Sequence, residues 1–163
     1  MLRASVTLAL LVVLCLGLWA LRDGPLETPN PGQGPQRIVS MAPSLTEILT
    51  YLGAGEQLVG VSAHCEGVPD GIPRVGTFQE PDFERIVDLK PDRVLVIASR
   101  AHESLHGSLQ ALGITVMEFS GDTLVGVREA VAEIGVLVGA TERAEEFLES
   151  LDRACAAAPG PGA

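Results

Sequence analysis

The side chains with chemical potential sit in a few short stretches. His64 and Cys65 are neighbours. An imidazole there could ligate a metal or stack on a flat ligand, and the thiol would add a soft donor. Two adjacent residues cannot close a site, and no second His or Cys pair stands at ligand spacing, so no protein-only metal centre is expected. His102 and His106 are one helical turn apart, a spacing that can grip a metal, with exposed helix histidines as the plainer reading. Ser44 precedes Glu47 by three residues in a capping-box pattern, and free N–H groups at a helix start can receive an anionic group. Arg100 follows an apolar run and could also meet an anion. Phe78 lies among polar neighbours and suits a cleft better than a core. Catalytic signatures are missing: there is no Gly-x-Ser-x-Gly, no Gly-x-Gly-x-x-Gly after the first strand and no phosphate loop. Neither a catalytic residue nor an intrinsic cofactor is expected.

These residues need a scaffold, and the pattern supplies one. The β-rich run 37–41 is broken by Ala42-Pro43, and a helix opens at Ser44 with Leu45, Ile48, Leu49 and Leu52 on one face. A strand over 57–61 follows, then an irregular stretch to Gly76 and a short helix over 81–89. The stretch 93–98, apolar without a break after Arg93, predicts a strand covered on both faces. A helix over 103–112 and a strand over 114–119 complete a β-α-β-α-β-α-β order. That order predicts an α/β fold with a mainly parallel sheet flanked by helices and right-handed crossovers. Ligands of such sheets bind beyond the carboxyl ends of the strands. Here those ends lead into Ser44, His64 and Arg100. Two helices follow after Asp122. Leu124, Val127, Val131, Ile134 and Val138 line the first; Ala144, Phe147, Leu148, Leu151 and Cys155 line the second, a long one whose far side nothing in the chain covers.

The ends of the chain differ in character. Arg3 precedes an uncharged, mostly apolar run over 4–21, which would span about 27 Å as a helix. Residues 1–22 therefore read as a signal peptide or an uncleaved membrane anchor. Residues 23–36 are a Pro/Gly-rich linker. The α/β lobe is expected over 37–122, the backbone helices over 123–158, and an interrupted linker over 159–163. The 163 residues carry a net charge of −10; beyond Arg22, nine basic residues face 21 acidic ones, a net of −12. Such a surface repels nucleic acid.

Four segments carry a resemblance. Arg37-Ile-Val-Ser-Met-Ala-Pro-Ser-Leu-Thr-Glu47, Leu58-Val-Gly-Val61, Pro73-Arg-Val-Gly-Thr-Phe78 and Phe83-Glu-Arg-Ile-Val-Asp-Leu-Lys-Pro-Asp-Arg-Val-Leu95 occur in this order. Together they resemble the helical-backbone periplasmic substrate-binding proteins that serve ABC importers of cobalamin, haem and iron-siderophores. The resemblance covers residues 37 to about 158. It implies two α/β lobes joined by a long helix, with a metal chelate held between them, and this chain matches the first lobe and the joining helix. The residues of this chain match no second lobe, which implies either a fragment or truncated chain or a second lobe on another chain, and weak binding by half a cleft. Among family members the cobalamin binders are nearest in pattern. The small residue after their first strand falls on Ser44, their loop tyrosine on His64, and their cleft tryptophan on Phe78. Their transporter-docking glutamate falls on Glu84, which would pair with an arginine of the permease. The function implied is an extracytoplasmic solute-binding component for a corrinoid, an iron-siderophore or haem. The alternative is a membrane-tethered sensor or interaction domain without a transport role.

Overall fold

The computed structural model describes residues 36–99 and 103–157. The expected export segment, most of the linker, Arg100, His102 and residues 158–163 lie outside the described residues. Strands β1 (Ile38–Ser40), β2 (Leu58–Val61), β3 (Arg93–Ile97) and β4 (Thr115–Phe119) form one sheet in the order β2-β1-β3-β4. Every pairing is parallel, as the alternation of elements requires. Helices α1 (Pro43–Tyr51), α2 (Phe83–Asp88), α3 (Glu103–Ala111), α4 (Leu124–Leu137) and α5 (Thr141–Ala157) cover it.

Alternate residues of the central strands feed two separate cores, because successive side chains of a strand point to opposite faces. Ile38, Leu95 and Phe119 pack beneath α1, α4 and the first turns of α5, with Leu45, Leu49, Val131, Ile134 and Ala144. Val39, Val94 and Val96 pack on the other face with Ile86 of α2 and Leu105 and Leu109 of α3. Val94, Leu95 and Val96 are all fully buried, which is what the apolar run after Arg93 demanded.

The Lys90-Pro91-Asp92 segment turns out to be architectural. Lys90 adopts a left-handed φ of 47° just past Leu89, the residue that caps α2. Arg37 secures it: its guanidinium donates to the carbonyls of Leu89 (2.7 Å) and Lys90 (3.1 Å), and its backbone N–H donates to Asp92 Oδ2 (2.8 Å). These bonds tie the start of β1 to the start of β3, at the amino end of the sheet and away from the loops that could hold a ligand.

Several boundaries differ from expectation for local reasons. Pro43 is the first residue of α1, so the cap position falls on Ala42 and Ser44 lies one residue inside the helix. Proline's fixed φ suits the first helical position, and it displaces the Ser44–Glu47 capping box. Asp82 caps α2 by accepting from Arg85 N–H (3.0 Å), which delays that helix to Phe83. Gln57 closes a short 3-10 turn (Gly55–Gln57) rather than opening β2. In α4 the buried face is Gly126, Ala130, Val131, Ile134, Gly135 and Leu137, and Leu124 is exposed. Cys155, expected on the inner face of α5, is exposed.

Candidate functional site

The carboxyl edge of the sheet is built on a buried polar knot. Thr46 sits on the inner face of α1, and its hydroxyl lies 2.8 Å from Ser40 Oγ, 3.1 Å from the Ala42 carbonyl and 3.1 Å from Cys65 Sγ. Ser62 Oγ is 3.1 Å from the same sulfur. Ser40, Thr46, Ser62 and Cys65 are each at most 1% exposed. Buried hydroxyls are costly unless paired, and here each finds a partner. The knot joins the ends of β1 and β2 and the start of α1, and it draws Cys65 inward. His64, next to it, is left facing solvent. Cys65 is thus a packing residue, and its contacts reach 19 residues back along the chain, a distance no local pattern reveals.

A second strap holds the loop from outside. Ala63 N–H donates to Gly76 O (2.7 Å), and Val75 N–H donates to Val61 O (3.0 Å). Residues 74–76 therefore run beside the end of β2 and carry the chain to Phe78. Phe78 is half-buried at the tip of a turn closed by Thr77 N–H to Glu80 O (3.0 Å) and Glu80 N–H to Thr77 Oγ1 (3.0 Å). Arg74 Nη1 donates to the carbonyls of Ser62 (3.1 Å) and Cys65. Arg85 of α2 in turn donates to Arg74 O (2.9 Å).

The predicted residues can now be placed. Ser44 is exposed in the first turn of α1, and His64 and Phe78 are carried by two segments that bond to one another. These three border the ends of the neighbouring strands β1 and β2. Arg100 lies outside the described residues. Glu84 is exposed in the first turn of α2, beside the Arg85 that grips Arg74. His106 Nδ1 lies 3.1 Å from Glu118 Oε1 on β4, so it bridges a helix to the sheet edge. Among the described residues no three His, Cys, Asp or Glu side chains are grouped to hold a metal ion. The residues missed from sequence were Ser40, Thr46, Ser62 and Arg74.

Beside Ser44 an apolar groove of about 330 Å³ opens between α1, α4 and α5, lined by Ile48, Tyr51, Ile97, Val127 and Phe147. Tyr51 and Phe147 meet edge-on at 4.8 Å and 71° across it. At the end of β4, Ser120 Oγ donates to Asp122 Oδ1 (2.7 Å). That bond, aided by a backbone hydrogen bond at Asp122, lowers the carboxyl's pKa below its ordinary value. Among the described residues no helix is long and apolar enough to cross a membrane.

Comparison with known proteins agrees with this architecture. Residues 38–159 match the family described as periplasmic binding protein. The vitamin B12-binding protein of Pectobacterium carotovorum is 30% identical over 113 residues, covering 68% of this chain and 41% of the relative. An uncharacterized ABC transporter substrate-binding lipoprotein of Bacillus subtilis, YvrC, is 31% identical over 122 residues, covering 72% and 38%. Among solved structures, the periplasmic haem-binding protein HutB of Vibrio cholerae superposes with a TM-score of 0.69 at 25% identity, covering 78% of this chain and 52% of that one. The periplasmic vitamin B12-binding protein BtuF of Vibrio cholerae gives 0.62 at 27%, covering 73% and 49%. The chain thus spans roughly two-fifths of the curated relatives it matches, 41% in the first case. By sequence and by fold, the chain belongs to the periplasmic binding protein family, a family of solute-binding proteins rather than enzymes.

Proposed function

We propose that this chain supplies one lobe and the joining helix of the solute-binding component of an ABC importer for a metal chelate, a corrinoid first and haem or an iron-siderophore next. The observation that carries the reading is the bonded pair of segments presenting His64 and Phe78 at the carboxyl edge of β1 and β2. An exposed imidazole and an aromatic ring can pack on a flat macrocycle, and the imidazole can ligate its metal. Ser44 and the first-turn N–H groups of α1 offer donors to polar groups at the rim. Arg100, outside the described residues, is proposed as a further cation for an anionic ligand group. Glu84 is the residue proposed to meet an arginine of the permease. Residues 1–22 would carry the lobe to the outer face of the membrane as a signal peptide or anchor, with residues 23–36 as spacer. The names of the vitamin B12- and haem-binding relatives support this ligand class.

Titration of the 163-residue chain with cyanocobalamin, haemin and a ferric hydroxamate siderophore, followed by absorbance and calorimetry, tests the reading. Saturable binding of one chelate, weakened about tenfold by His64→Ala and by Phe78→Ala, is the expected result. Absence of binding to all three would sink it.

A further inference from the structure

Besides the buried knot and the Ala63–Gly76 strap, the loop bearing His64 is held by a cation that the ligand-binding reading does not use. Arg74 Nη1 donates to two loop carbonyls, Ser62 and Cys65, which flank Ala63 and His64. The Arg74 carbonyl meanwhile accepts from Arg85 Nη1 (2.9 Å), and Arg85 follows Glu84 on α2. The loop, Arg74 and α2 are therefore joined by consecutive hydrogen bonds with charged donors, which are stronger than neutral ones. A guanidinium suits the place because the two N–H bonds of its Nη1 can each meet one carbonyl and the group never loses its charge.

We propose that Arg74 is the positioning residue of the His64 loop, and that Arg85 extends its hold to the helix carrying Glu84, so that the ligand loop and the permease-facing helix share a side-chain linkage beside the backbone bonds Ala63–Gly76 and Asp82–Val75. The hold on the loop stands on the hydrogen bonds alone; its service to a chelate and a permease rests on the function proposed above. With the linkage intact, Cys65 stays 1% exposed beneath the loop. With it cut, the loop opens more often and the thiol becomes reachable.

Cys65 is thus a built-in reporter of the loop. In the full chain carrying Cys15→Ser and Cys155→Ser, the rate of maleimide labelling under native conditions follows how often the loop opens. Arg74→Ala should raise that rate about tenfold, the effect of losing charged hydrogen bonds to two carbonyls. Arg85→Ala should raise it severalfold with an unchanged thermal midpoint, and Arg85→Lys should restore it in part. Arg153→Ala on α5 is the control and should leave it unchanged. If Arg74→Ala alters the circular dichroism spectrum, Arg74→Lys and Arg85→Ala carry the test. Unchanged labelling in both arginine variants overturns the proposal, and a rise confined to Arg74 overturns the link to α2. Chelate titration of the same variants separates the two readings. Faster labelling with a weaker chelate affinity supports the positioning role, whereas faster labelling with unaltered affinity overturns it. Faster labelling in a chain whose parent binds no chelate removes the proposed ligand class and leaves the loop's attachment standing.

Discussion

The guanidinium of Arg143 occupies the space beside Gly53 where any other residue would place its Cβ. Gly53 follows α1 with a left-handed φ of 78°, and Arg143, in the first turn of α5, donates to the adjacent Leu52 carbonyl (3.3 Å). One glycine thus serves both the turn and the seating of the long helix.

Gly53→Ala should therefore destabilise the fold by about 1–3 kcal/mol, combining an unfavourable φ with a displaced arginine. Urea unfolding of Gly53→Ala, Arg143→Ala and the double variant checks this. The double variant should lose less than the sum of the two, and strict additivity would show that the two residues are not coupled.

A tight contact also fixes the α4–α5 crossing. A Cβ on Gly135 would lie 2.5 Å from Ala144 Cβ. In an exposed helix Gly→Ala gains about 1 kcal/mol of propensity. Here the sign should reverse, with Gly135→Ala costing about 1–3 kcal/mol by overpacking. Adding Ala144→Gly should recover part of that loss, as read from thermal midpoints of the single and double variants.

The buried knot makes a separate prediction. Thr46→Val keeps the shape of the side chain and removes the hydroxyl that Ser40 and Cys65 share. The cost should be about 1–3 kcal/mol, the penalty for leaving buried polar partners unmet. Thr46→Ser keeps the hydroxyl and should cost less. Chemical denaturation that ranks serine below valine would refute the idea that the hydroxyl matters.

Asp122 gives a pH dependence whose sign is set by its lowered pKa, caused first by the Ser120 hydroxyl and then by a backbone hydrogen bond. A carboxyl titrating lower in the folded than in the unfolded chain adds stability above its unfolded value, and that share is lost as pH falls through the folded value. The loss belongs below about pH 4, near the ordinary value of 3.8. Ser120→Ala removes the leading cause, so the Asp122 titration should move upward, and carbon-detected NMR of its carboxyl follows this directly. An unmoved titration would assign the lowering elsewhere.

How far the chain could be read in advance depended on the reach of each interaction. The strand over 93–97 was legible because a buried parallel strand shows its apolar run locally. The parallel order followed from alternation, and the positions of Ser44 and His64 from the rule that ligands bind beyond strand ends, whereas Phe78 follows no strand and came from the family resemblance. Ser44 shows the limit: the Ser44–Glu47 pattern is a sound capping signal, yet Pro43 overrides it, and the override was written one residue earlier. Asp82 is a cap signal of the same kind, one residue after the expected start of the helix over 81–89. Thr46 and Cys65 could not be read at all. Their pairing depends on α1 lying against the end of β2, a packing outcome with no local trace. Leu124 failed differently: its spacing fits the stripe of α4, but as the first residue of the helix it is exposed.

The inner face of α5 fades from buried at Ala144, through half-buried Phe147, Leu148 and Leu151, to exposed at Cys155. Beyond Leu151 the main tie is the Arg128–Asp152 ion pair, at an exposed site where such pairs contribute little. The helix is therefore a cantilever, clamped at its root and progressively released toward its tip. Its 17 residues measure about 26 Å. A tilt of about 5° at the clamp would sweep the tip through about 2 Å at that helical rise. Whatever the tip carries would feel a small repacking around Gly53 as a displacement several times larger than its source.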